Sequence, residues 1–238
     1  MACGSDIVSG RKKVAIVEKD ITAGTCTNYG CSAKFLLDSP FEFIDSLSRY
    51  DKAGITGNTK VNWQELMAYK KSEIPTYASL MEGMFAQMQI DLLKGYGKLV
   101  DAHTVSVDDD RISADYIVLG TGQRPARLQI KGQEFLHDSC DFLDLDKMPK
   151  HITFIGAGII SMEFATMSAK LGSEVHIIEY ADRALVAYQE NYIDSVVAKM
   201  TAEGVYFHFK QAVQAVEETT AGLRVTTAQG LELETDYV

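Results

Sequence analysis

Two cysteines, Cys26 and Cys31, stand five positions apart in the stretch GTCTNYGC, Gly24–Cys31, of a chain with only four cysteines in 238 residues. Thiols so close suit three chemistries: a structural disulfide, half of a metal site, or a disulfide that opens and closes during a reaction. The segment SAKFLLDSPFEFIDSLSRY that follows has helical periodicity. Cys31 therefore sits where a helix begins, and the positive end of a helix favours a thiolate.

The surroundings weigh on the choice. The N-terminal MACGSDIVSGRKK lacks the apolar centre of a secretory signal. No apolar run approaches the roughly 20 residues that span a bilayer. A cytoplasmic location is expected, where a permanent disulfide is disfavoured. The formal net charge of −10 argues against nucleic acid and against an anionic membrane surface as partners. Zinc prefers pairs spaced Cys-x2-4-Cys, so Cys26 and Cys31 fall at the edge of that range. The other candidate ligands, His137 and Cys140, are remote in sequence. No metal site is expected.

A second constellation lies in ITFIGAGIISMEFATMSAKLGSEVHIIE, residues 152–179. An apolar strand runs into Gly156-Ala157-Gly158, a helix follows, and a second strand ends at Glu179. The first glycine permits a tight turn, and the second lets backbone approach a pyrophosphate at the helix N-terminus. Ser161 replaces the third glycine, which predicts slightly wider helix–strand packing. Glu179 follows Gly156 at the spacing of an acid that binds an adenosine ribose and repels a 2′-phosphate. NAD is thus expected over NADP, although Arg183 lies near enough to receive a 2′-phosphate.

These motifs need elements to position them. VAIVE, Val14–Glu18, reads as a buried parallel strand after a basic turn, Gly10–Lys13. The helix after Cys31 should break at Pro40. From Trp63 to Leu93 apolar residues recur at helical spacing, with Pro75 expected to kink or split the run. Its methionines, Met67, Met81, Met84 and Met88, read as core packing rather than as a binding groove. KLVDAHTVSV and RISADYIVLGTG read as strands, the second ending in an apolar strand that enters a Gly-Thr-Gly turn. Lys147–Lys150 looks like a linker, and strands return at GVYFHF, LRVTTA and LELETDYV. The expected fold is α/β, with Rossmann-like three-layer domains in tandem, residues 1–148 and 149–238.

GTCTNYGCSAK, GTGQRP at 120–125 and GAGIISMEFA at 156–165 occur in the order found in class I pyridine nucleotide-disulfide oxidoreductases. That family includes dihydrolipoyl dehydrogenase, glutathione reductase and mercuric reductase, and the chain resembles it from about Lys12 onward. The resemblance implies an FAD-binding domain followed by an NAD(P)-binding domain. It implies a relay from nicotinamide through flavin to a Cys26–Cys31 disulfide, then to a small disulfide substrate. Cys31 would be the flavin-side sulfur and Cys26 the thiol that attacks substrate. Lys34 and Glu163 match a pair beside the flavin. Glu18 matches the acid on the FAD ribose, and Thr25 a hydrogen-bonding residue. Gly24 and Gly30 would give the loop room beside the ring, and Thr121 and Gly122 belong to the turn that passes the FAD. Ile159 stands where glutathione reductases usually place tyrosine, which with Glu179 favours a dihydrolipoyl-dehydrogenase-like enzyme. The substrate stays open among dihydrolipoamide, glutathione and mercuric ion.

The pattern departs from the family at both ends. No glycine fingerprint precedes Val14, and no dimerisation domain with a histidine–glutamate pair follows LELETDYV. Both domains are expected to be incomplete, and the family's homodimer is left open for this chain. None of His103, His137, His151, His176 and His208 occupies a catalytic motif. Cys3 and Cys140 read as unpaired thiols, Cys140 buried. The competing expectation is a truncated, non-catalytic remnant that binds NAD or serves as a folded partner.

Overall fold

The computed structural model describes residues 12–55, 57 and 59–238. Cys3, and Gly10 with Arg11 of the expected basic turn, lie outside the described residues. The chain divides into two compact units, one running to Leu37 and resuming over Ala68–Arg124, the other made of Asp38–Met67 and Pro125–Val238.

The first unit begins with β1 (Ala15–Glu18), the one-turn helix α1 (Gly24–Asn28) and the start of α2 (Cys31–Ser48). It continues with most of α3 (Trp63–Gln87) and with β2 (Asp91–Lys94). β1 and β2 pair in parallel, Ala15 opposite Asp91 through Glu18 opposite Lys94. The expected helix to Leu93 thus stops early, because Leu92 and Leu93 complete a ladder with Ile16 and Val17. β1 is parallel as expected but only half-buried, since the ladder covers a single edge. β3 (Gly97–Leu99), β4 (Thr104–Val107) and β5 (Asp110–Ser113) form an antiparallel meander.

Both prolines are carried inside unbroken helices, Pro40 in α2 and Pro75 in α3. An interior proline costs about 3 kcal/mol, while burying a large apolar side chain returns about 1.5–3 kcal/mol. Ala33, Leu37 and Phe41 are buried at successive four-residue steps across Pro40. Trp63, Met67 and Ile74, at steps of four and seven residues, are buried before Pro75. Burial wins in both helices. The methionines of α3 are not uniformly core: Met67 is buried, whereas Met84 is exposed.

The expected apolar strand at YIVLG is absent. Residues 116–129 have no regular structure, and Tyr116, Val118 and Leu119 are exposed. A strand needs neighbours for its N–H and C=O groups, and among the described residues none pairs with this stretch.

The second unit contains α4 (Ser139–Leu143), then β6 (His151–Ile155), α5 (Ile159–Lys170), β7 (Glu174–Ile178), α6 (Glu190–Ala202) and β8 (Val205–His208). The three strands pair in parallel, a βαβαβ arrangement of Rossmann type. Ile152, Val175, Ile177 and Val205 are buried, as the continuous apolar runs of a covered parallel sheet require. Phe142 of α4 stacks on Phe164 of α5 at 4.1 Å and lies 6.1 Å from Trp63. The expected linker at 147–150 is pinned instead: Ser173 donates to the Pro149 carbonyl at 2.6 Å. Nearby, the Trp63 indole donates to the Leu145 carbonyl at 2.7 Å.

β9 (Val213–Thr219), β10 (Gly222–Thr227) and β11 (Glu232–Thr235) form a second antiparallel sheet. Val216 and Val225 from it join Ile178 and Val238 in a core cluster. No described helix is long and apolar enough to cross a membrane.

Candidate active site

The cysteine turn is built from two left-handed residues and two short helical starts. Ala23 has φ 80° and Gly24 φ 63°, which swing the chain out of the β1 direction into α1. α1 carries Cys26 and closes with Tyr29 N–H donating to the Thr25 carbonyl at 2.8 Å. Gly30 then passes so near that a Cβ there would lie 2.9 Å from Thr25 O and 3.2 Å from Cys26 Cα. Its missing side chain serves this close backbone approach within the turn itself. Cys31 opens α2, and Lys34 N–H donates to Gly30 O at 2.8 Å.

The turn brings Cys26 and Cys31 together. Both thiols are free and exposed. The neighbouring Cys31 thiol raises the pKa of Cys26 above the ordinary thiol value. Partial burial and the like charge of Cys31 add to the rise, and the Cys31 backbone N–H opposes it. The amide at the start of α2 thus serves the Cys26 sulfur. Cys31, Ser32, Phe35 and Tyr77 line an open cavity of about 360 Å³. Its walls are largely apolar.

Other residues expected near a flavin sit at exposed or half-exposed places. Glu18 ends β1, and its carboxylate accepts from Asp20 N–H at 2.9 Å. Thr25 is exposed beside Cys26. Thr121 and Gly122 lie in the irregular stretch before the unit boundary, with Gly122 at φ 77°. Lys34 belongs to the first unit and half-buried Glu163 to the second.

The second unit builds the glycine turn as its sequence predicts. Gly156 takes φ 93° and donates to the Ile178 carbonyl at 2.7 Å. Gly158 caps α5 in extended conformation with no side-chain hydrogen bond, and a Cβ there would meet nothing within 4 Å. The first-turn N–H groups of a helix lack intrahelical acceptors, and a backbone open beside Gly158 suits a pyrophosphate there. Ile159 is 49% exposed at this mouth.

Glu179 is buried, and its carboxylate accepts from Ala157 N–H at 2.7 Å and Ala181 N–H at 2.8 Å. It braces the glycine turn. The Arg183 guanidinium donates to the Val186 and Tyr188 carbonyls. That engagement pins its own loop and competes with the phosphate role weighed for it.

Among the described residues, no group of three or more histidine, cysteine or acidic side chains is arranged to hold a metal. Cys140 is partly buried, and burial, followed by Asp138, pushes its thiol pKa up. One polar cluster escaped the sequence reading. His176 Nδ1 lies 2.8 Å from His208 Nε2, and His176 Nε2 lies 3.1 Å from Glu174. Adjacent parallel strands create this cluster, so the signal existed only in the pairing of β7 with β8.

The profile of the pyridine nucleotide-disulphide oxidoreductase family matches residues 1–238. The chain belongs to this family. It is 31% identical over 229 residues to a glutathione reductase of Nostoc sp., covering 95% of this chain and 50% of that protein. It is 29% identical over 233 residues to dihydrolipoyl dehydrogenase 2 of Haloarcula marismortui, covering 93% and 49%. The HOCl-induced flavoprotein disulfide reductase RclA from Escherichia coli shares the fold, with TM-score 0.83 at 21% identity, over 99% of this chain and 52% of that one. The chain spans about half the length of the relatives it matches.

Proposed function

We propose that this chain acts in a flavin-dependent disulfide oxidoreductase, carrying electrons between NAD(P)H, FAD and the Cys26–Cys31 pair to a small disulfide. The observation that carries this reading is the adjacency of two free, exposed thiols, Cys26 and Cys31, across one tight turn. The Gly156–Gly158 turn with Ile159 and Glu179 would hold the pyridine nucleotide. Glu18, Gly24, Thr25, Thr121 and Gly122 would hold the flavin, with Lys34 beside its ring. Bound flavin supplies the electron pair that opens the Cys26–Cys31 disulfide.

The thiol chemistry belongs to the chain itself. The Cys26 thiolate attacks one sulfur of the substrate, forming a mixed disulfide and releasing the first substrate thiolate, which takes up a proton. Cys31 then loses its proton and attacks the Cys26 sulfur. The second substrate thiol leaves, and the Cys26–Cys31 bond is restored. Two electrons have moved from the protein dithiol to the substrate.

Ile159, aliphatic where glutathione reductases usually place tyrosine, and Glu179 favour a dihydrolipoyl-dehydrogenase-like reaction using NAD. A cytoplasmic homodimer fits that role. A nucleotide-binding remnant would share the glycine turn but leaves the paired thiols without a purpose. The test is trapping with a lipoamide-like disulfide: Cys31→Ser should accumulate a mixed disulfide on Cys26, and Cys26→Ser should not. Equal trapping in both variants would contradict the assignment.

A further inference from the structure

We propose that Asn28 and Thr22, anchored by Glu82 and Lys94, form a positioning network that sets the stability of the Cys26–Cys31 disulfide. The proposal rests on reading the two cysteines as a redox pair.

The network surrounds the one unfavourable conformation in the turn. Ala23 is left-handed at φ 80° without being glycine, a state that persists only where its surroundings enforce it. Asn28 supplies that enforcement: its Nδ2 donates to Thr22 O at 3.1 Å and to Gly24 O at 2.9 Å, one carbonyl on each side of Ala23. Asn28 is 3% exposed, and its Oδ1 is a buried acceptor with no partner. A buried amide that leaves its oxygen unsatisfied is costly to keep, so the two donated bonds explain its presence.

Thr22 is the outer anchor and is itself 2% exposed. Its hydroxyl donates to Glu82 Oε1 at 2.5 Å, and Lys94 donates to the same hydroxyl. Lys94 also pairs with Glu82 at 3.1 Å. The Thr22 hydroxyl, then Lys94, hold the Glu82 carboxyl below its usual pKa. α3 and β2 thereby grip the chain just before α1, while Asn28 grips it from the far end of α1. Cys26 sits between these two holds.

A disulfide forms only within a narrow window of backbone separation. Fixing α1 keeps Cys26 at the start of α2 in the dithiol state as well. Loosening it lowers the effective concentration of one thiol at the other and shifts the equilibrium toward the dithiol. The test equilibrates the full chain and its variants in dithiothreitol buffers of graded ratio, traps thiols with an alkylating agent, and reads the Cys26–Cys31 peptide by mass. Asn28→Ala and Thr22→Val should each favour the dithiol about tenfold, which is about 30 mV. Thr22→Ser, which keeps the hydroxyl, should match the wild type. Thr22→Val is close in shape to threonine and serves if Asn28→Ala does not fold. An equilibrium within twofold of wild type for Thr22→Val, or Thr22→Ser behaving like Thr22→Val, overturns the network while leaving the redox pair intact. A wild-type chain that forms no disulfide at any ratio overturns both.

Discussion

Glu179 accepts a 2.7 Å hydrogen bond from the backbone N–H of Ala157, the residue between the two glycines of the nucleotide turn. The acid that should read the ribose is thus also a brace for the turn that should hold the phosphates. Its second oxygen accepts from Ala181 at 2.8 Å. Removing it affects both duties, and this double role separates two otherwise similar substitutions.

Glu179→Ala leaves two N–H groups without their acceptor, at about 1–3 kcal/mol for each that stays buried. NADH affinity should fall tenfold or more, and the preference for NADH over NADPH should narrow. Glu179→Gln keeps one acceptor oxygen and should lose the preference with less loss of stability. Calorimetric titration with both nucleotides, alongside thermal unfolding, checks both statements.

Gly30→Ala should damage the cysteine turn although it touches no thiol directly. The added Cβ would lie 2.9 Å from Thr25 O and 3.2 Å from Cys26 Cα, both backbone atoms that cannot swing aside. Overpacking of this kind costs about 1–3 kcal/mol. The expected result is a lower unfolding midpoint and slower formation of the Cys26–Cys31 disulfide. Thiol trapping after brief oxidation follows the second effect.

His208 makes part of the stability pH-dependent. Burial, then the neighbouring His176, lowers its pKa below the ordinary histidine value. A group whose folded pKa is depressed binds more protons unfolded than folded as pH falls through the histidine range. Its stabilisation is therefore present above the unfolded pKa and is lost on acidification through the folded one. Glu174, on the far side of His176, and the Tyr206 ring stacked at 5.0 Å complete the surroundings of the pair. His208→Gln should flatten the loss of stability below about pH 6.5, as measured by urea unfolding at a series of pH values.

The parts of this account that could be read from sequence are local ones. GAGIIS announces its turn because glycine placement, strand and helix follow one another without help from elsewhere, and the β6–α5–β7 unit forms as that order requires. The cysteine turn is legible for the same reason. What escaped depends on distant partners. DLLK carries no period of its own and becomes β2 only because β1 offers a parallel edge. YIVL has strand composition but no strand partner among the described residues, so it stays irregular, with Tyr116, Val118 and Leu119 exposed. β9 lies between two expected strands, and its alternating VQAVEET gains meaning only against β10. Pro40 misled because propensity sees one lost bond, not the burial of Leu37 and Phe41 around it. The anchors of the cysteine turn, Glu82 and Lys94, lie 60 and 72 residues from Thr22 and leave no mark near the motif.

The central claim is that Cys26 and Cys31 form a reversible disulfide. The most direct measurement alkylates the chain before and after mild reduction with dithiothreitol, following oxidation by oxidised glutathione, and maps labels by peptide mass. The account predicts two additional labelled cysteines after reduction, at Cys26 and Cys31, and no such gain in Cys26→Ser. Full labelling of both residues before reduction, or an unchanged gain in Cys26→Ser, would contradict it.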